Sequence, residues 1–225
     1  MAEMAQGMST RTMRRGAPRR DEPSARERLV ETAIELFYQQ GIRAIGVDTV
    51  VARSRVSKSS LYRTFASKEA LIGAFAEEQN RRFWQWWNET TTRHAGAPRK
   101  QIEALFDGIA EQIANPQFRG CPFINLATEF PDRRHSGTVI ACTNKKEVRK
   151  RLCLLARTLG ARDPRQLSAQ LALLMDGAYG HAVTIGAAGL RRELIGIVRL
   201  LIAAQTNEGK ARPSHQGQAS PKACR

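Results

Sequence analysis

Residues 47–71 read VDTVVARSRVSKSSLYRTFASKEAL. Five positive charges, Arg53, Arg55, Lys58, Arg63 and Lys68, fall between Val50 and Lys68 with no acid among them. Val50, Val51, Val56, Leu61 and Phe65 can pack inward while those charges stay outside. The pattern reads as two short helices around a tight turn, then the start of a third. This is the arrangement that lets a helix-turn-helix lie on a phosphate backbone and place one helix in the major groove.

Helical periodicity continues through nearly every other segment, and no sustained strand alternation appears. The expected class is all-α: an N-terminal three-helix unit joined by a long helix to a C-terminal helical region. Ser24 and Glu27, just after Pro23, form a capping box for the first helix. Leu29, Ala33, Leu36 and Phe37 make its apolar stripe, and Gly41 should end it in the left-handed conformation. The second helix is predicted at about 47–54 and the third at about 58–64, capped by Ser57. A longer fourth helix follows Ser67 and breaks at 94–98. Further helices are predicted over 99–114, within 117–133, over 134–159, from Pro164 to about Ala187, and over 190–204. The expected organisation is a disordered basic arm at 1–23, a helix-turn-helix unit at 24–70, a helical sensing and dimerising region at 71–205, and a disordered polar tail at 206–225.

The chain has 225 residues, 42% of them apolar, enough for a globular core. A net charge of +15 implies a polyanionic partner. Nucleic acid comes first and an anionic membrane surface second. No run approaches the roughly 18 apolar residues of a transmembrane helix. The N-terminus has no apolar core for a secretory signal, so a cytoplasmic location is expected. The basic arm either touches DNA or is only solvated. Cys121, Cys142, Cys153 and Cys224 show no CxxC spacing, and the four histidines are scattered, so neither a metal site nor a cofactor is expected. Free thiols are the default reading, and a redox-sensing pair is the sharper one. Without GxGxxG, P-loop, HExxH or GxSxG motifs, catalysis is not expected.

The order of elements and the residues VARSRVSKSSLYRTFASKEAL resemble the N-terminal DNA-binding domain of the TetR family of bacterial transcriptional regulators. Ser57-Lys58, Leu61-Tyr62, Phe65 and Ser67-Lys68 carry the family pattern, and GCPFINLATEFPD is similar to a segment of the ligand-binding half of some members. Three positions depart from it. Arg55 stands where the turn usually has Gly, at a cost of roughly 1 kcal/mol for positive φ. Gly46 replaces a Ser or Thr cap, and Thr64 replaces His.

On this reading Lys58, Ser59, Ser60 and Arg63 face DNA from the third helix, with Arg63 able to read guanine bidentately. The resemblance implies phosphate contacts for Tyr62 and Lys68, and Thr49 and Arg53 join the contact set from the second helix. It also implies a homodimer on a double-stranded DNA operator, released from repression by a small-molecule effector. Leu167, Leu171, Leu174, Met175, Leu194, Ile197, Val198 and Leu201 either form a four-helix dimer interface or pack within one monomer. Candidate ligand contacts are Trp84, Trp87, Phe106, Phe123, Asn125, Glu129, Asp176 and Tyr179. In that set the two acids would favour a cationic ligand, and the competing reading is ordinary core packing with arginine-paired acids. A general or architectural DNA-binding protein without an effector is the alternative function.

Overall fold

The structure, a computed structural model, describes residues 23–206. The expectations for the arm and the tail therefore lie outside the described residues. Among those residues there are nine α-helices and no strand. They are α1 (Ala25–Gln40), α2 (Val47–Ser54), α3 (Lys58–Thr64), α4 (Lys68–Thr92), α5 (Pro98–Ile113), α6 (Pro122–Glu129), α7 (Ser136–Thr158), α8 (Pro164–Thr184) and α9 (Leu190–Gln205). None is long and apolar enough to cross a membrane.

Local chemistry starts these helices. At α1 the Glu27 N–H donates to Ser24 Oγ at 3.2 Å and the Ser24 N–H donates to Glu27 Oε2 at 2.7 Å, a complete capping box. Ser57 and Ser67 cap α3 and α4, and Asp163 caps α8. α5, α6 and α8 carry Pro at their first turn, where the missing N–H costs nothing. Gly41 does end α1 with positive φ, but at ψ 143° rather than in the left-handed helical region. The chain leaves α1 extended because the next two amides, Ile42 and Arg43, are held by a carboxylate of α6.

Leu29, Ala33, Leu36 and Phe37 of α1 are buried with Val50, Val56, Leu61 and Phe65 of the helix-turn-helix. Phe37 meets Phe75 of α4 edge to face at 5.6 Å, so the same core runs from the small N-terminal unit onto the long helix. Burying each such side chain stabilises by about 1.5–3 kcal/mol. The second half packs α7 against α4, α6 and α8, and α5 against α9. Gly137 permits the closest of these approaches: a Cβ there would lie 2.8 Å from Leu126 Cδ2.

The apolar row proposed for dimer contact is largely interior. Leu167, Leu171, Met175, Leu194 and Val198 are buried within the monomer. Of that row Ile197 is exposed, and Leu173 (74%) on α8, Ile185 (76%) at its end and Leu200 (71%) on α9 are exposed outside it.

Candidate nucleic-acid interface and internal cavity

The turn between α2 and α3 is made by Arg55 at φ 55°, ψ 26°, the one non-glycine residue with positive φ among the described residues. Gly46 caps α2 without a side-chain bond. On α3 the hydroxyls form a rail. Ser57 Oγ donates to Ser60 Oγ at 2.9 Å and lies 3.1 Å from Ser59 Oγ, and Arg63 Nη2 donates to Ser60 Oγ at 2.7 Å. The rail steers the guanidinium along the exposed face of the helix.

Lys58 is exposed and pairs with Asp48 at 2.8 Å, and the hydrogen bond to that carboxylate raises its pKa. Arg53 pairs with Glu35 of α1 at 2.9 Å, also in solvent. Exposed pairs of this kind are weak enough for a phosphate to replace. Thr49 of α2 and Ser59 and Tyr62 of α3 are exposed as well. Lys68 is different. Its Nζ donates to the Ile42 carbonyl at 2.8 Å and approaches the Arg43 carbonyl at 3.5 Å, and burial lowers its pKa. It ties the start of α4 to the α1–α2 connection.

That connection is also where the two halves join. Glu129, the last residue of α6, accepts the Ile42 N–H at 3.1 Å on Oε1 and the Arg43 N–H at 2.8 Å on Oε2. A carboxylate holding two backbone amides is a clamp between α6 and the helix-turn-helix unit. It is not a free group awaiting a ligand.

A cavity of about 460 Å3 lies between α1, α4, the end of α5, the 115–121 loop, α6, α7 and α8. This volume falls in the range usual for small-molecule sites. Phe83 and Trp86 of α4, Phe118, Phe123 and Tyr179 give it aromatic walls, with Phe118 stacked on Tyr179 at 5.9 Å. Gln39, Gln79, Gln112, Asn115 and Gln117 supply amides, and Arg82 and Lys145 supply charge. Gly108 lets α5 come close to Trp86: a Cβ there would sit 2.9 Å from the indole. Tyr38 of α1 also lines the cavity. Its Oη donates to the Gly120 carbonyl at 3.0 Å and accepts the Arg119 N–H at 3.0 Å, and burial raises its pKa. Beside it, Gln39 Nε2 donates to the Gln117 carbonyl at 3.0 Å.

Of the eight ligand candidates from sequence, Phe123 and Tyr179 line this cavity. Phe106 is fully buried in the core and Trp87 nearly so. Trp84 stacks under the Arg151 guanidinium at 4.0 Å. Asn125 Nδ2 donates to the Arg119 carbonyl at 3.0 Å and shapes the loop from outside. Asp176 pairs with Lys145. Sequence reasoning missed Tyr38, Phe83, Trp86 and Lys145. Phe83 and Trp86 recur with Gln79 at helical spacing on α4, a signal that Trp87, four residues after Phe83, shares.

Cys121 is buried and lines the cavity, while Cys142 and Cys153 lie elsewhere, and Cys224 is outside the described residues. Among the described residues, no three His, Cys, Asp or Glu side chains come together as a metal site would require.

Residues 29–75 match the family described as bacterial regulatory proteins, tetR family. An HTH-type transcriptional repressor of Mycobacterium tuberculosis is 28% identical over 125 residues, 54% of this chain and 63% of its own, so the match spans less than two thirds of that relative. The structure of a TetR-family transcriptional regulator from Streptomyces coelicolor superposes with a TM-score of 0.77 at 26% identity, covering 80% of this chain and 89% of the other. A putative TetR transcriptional regulator from Streptomyces avermitilis superposes at 0.73 with 31% identity, over 81% of this chain and 98% of the other. With likeness in sequence and fold extending from the helix-turn-helix through the second half, this chain belongs to the TetR family of bacterial regulatory proteins.

Proposed function

We propose that this chain is a sequence-specific DNA-binding transcriptional regulator, a cytoplasmic homodimeric repressor that leaves a palindromic operator when a small molecule fills the cavity. In this reading residues 24–70 contact DNA and residues 71–205 sense and dimerise. Phosphate contacts come from Tyr62, Thr49, Lys58 and Arg53, the two cations exchanging Asp48 and Glu35 for phosphate. Base contacts come from Ser59, Ser60 and Arg63. Lys68 acts by holding the α1–α2 connection in place. The exposed apolar row on α8 and α9 supplies a face for a second copy, and two copies supply two recognition helices for two half-sites.

The observation that carries the ligand response is that α1, which packs on α2 and α3, forms part of the cavity wall through Tyr38 and Gln39. Both side chains are bonded to the 117–120 loop. An occupant that displaces this loop or exchanges those bonds acts on the helix that supports the recognition helix. It shifts the equilibrium only if it binds the DNA-incompetent arrangement better.

Footprinting on a duplex selected from random sequence tests the reading. It expects protection of one palindrome, with affinity falling by about 1–3 kcal/mol for Arg63→Ala per half-site and unchanged folding. Equal binding to any duplex would instead indicate a general DNA-coating protein. Salt dependence does not separate the two, since both release counterions.

A further inference from the structure

The cavity's polar groups are unevenly distributed in sign. Arg82 and Lys145 line it, and among the described residues no Asp or Glu does. Their counter-ions lie behind them: Glu31 and Glu78 for Arg82, Asp176 for Lys145. One more group points the same way. Tyr179 is 5% exposed and lines the cavity, to which it brings a phenolic donor. Lys145 Nζ lies 5.7 Å from the centre of the same ring.

We infer that the cavity binds an aromatic acid, its ring against Phe118, Phe83 and Trp86 and its carboxylate accepting hydrogen bonds from Tyr179 and Lys145. The inference rests on the cavity being the effector site. An ammonium has three donors, and Asp176 takes only one of them, so Lys145 can serve a second anion without giving up its first partner. Burial raises the Tyr179 pKa well above its ordinary value, so the phenol stays a neutral donor throughout the physiological range. A cationic guest would meet two cations and no carboxylate. A neutral amide guest would accept the phenol's proton but offer the ammonium's remaining donors no charged acceptor.

The test is calorimetric titration of the full-length protein with benzoate, cinnamate, 1-naphthoate and indole-3-acetate, each beside its primary amide and its amine. At least one acid should bind, about ten-fold or more tighter than its amide. Tyr179→Phe and Lys145→Met should each weaken that acid by about ten-fold, and the amide by less. No binding by any acid, or tighter binding by an amide or amine, overturns the inference. Operator release is scored separately. An amine or amide that binds and releases DNA overturns the aromatic-acid assignment and leaves the functional reading standing. An acid that binds, loses affinity in both variants, and leaves DNA affinity unchanged supports the assignment and counts against the functional reading.

Discussion

On α3 the polar side chains face solvent, while on α4 the side chains that shape the cavity point in among α1, α5, α6, α7 and α8. Ser59, Tyr62 and Arg63 need only their own helix and the turn before it to be presented. Trp86 and Lys145 need five or six elements to enclose anything. The first surface is a property of a short stretch of chain, and the second is a property of tertiary packing. The same contrast holds for charge. Lys58 and Arg53 are paired in water, where an incoming phosphate competes easily. Arg82 and Lys145 line the cavity and keep counter-ions that do not line it.

Substitutions in each region sharpen the contrast. The largest effect on stability is expected from Phe106→Ala, which should cost about 3–5 kcal/mol in denaturant unfolding, because the ring is fully buried. If that variant instead unfolded like the parent and lost only ligand affinity, Phe106 would belong to the site and the division drawn here would fail. Glu129→Gln removes the charge that holds two amides and turns a donor toward one of them. A loss of about 2 kcal/mol is expected, together with faster amide exchange at Ile42 and Arg43. Unchanged exchange there would remove the clamp from the account.

The third expectation concerns pH. Hydrogen bonding from Arg81, opposed by burial and reinforced by Arg82, draws the Glu78 carboxyl from 4.5 down to about 2. A depressed carboxyl pKa contributes stability that is complete above 4.5 and is lost as the pH falls toward 2. At this partly exposed site the contribution is on the order of 1–2 kcal/mol. Thermal melts of the parent and Glu78→Gln should converge across that window. The smallest effect is at the turn. Arg55→Gly should stabilise by about 0.5 kcal/mol, the relief of left-handed strain being offset in part by glycine's freedom in the unfolded chain. Destabilisation would show that the Arg55 side chain contributes to the fold.

The helix-turn-helix was legible from the sequence nearly residue by residue, because its signals are local. Ser24 with Glu27 and Ser57 are caps that act within four residues of themselves, and each is found doing so; Ser67, where the fourth helix was expected to start, caps it as well. Arg55 was identified as a strained turn through the family resemblance, which puts Gly at that position, and it is found at φ 55°. The second half was legible as helices but not as a site. Glu129 looked like a ligand group because its partners, the amides of Ile42 and Arg43, lie 86 and 87 residues away and carry no side-chain signal. For Asp176 the paired reading was open with arginine as the partner, whereas its partner is Lys145, which approaches from another helix. The tryptophans were visible, but Trp86 and Trp87 both lie at helical spacing from Phe83, and only packing shows that Trp86 lines the cavity while Trp87 is buried in the core. The α8 and α9 apolar rows were seen as well. Their inner and outer faces could not be told apart until packing assigned Leu171 to the core and Leu173 to the surface.

The central claim is that one cavity and one DNA-contact surface share α1. Linkage makes that claim measurable from either end, since an occupant that weakens DNA binding by some factor must itself be bound more weakly by the DNA complex by the same factor. Titrating a cavity ligand into the free protein and into the protein saturated with its selected palindrome, at one salt concentration, measures both sides of the cycle. The account predicts a weaker ligand affinity in the complex, by a factor equal to the loss of DNA affinity and reduced in Tyr38→Phe. Equal ligand affinity with and without DNA would contradict it.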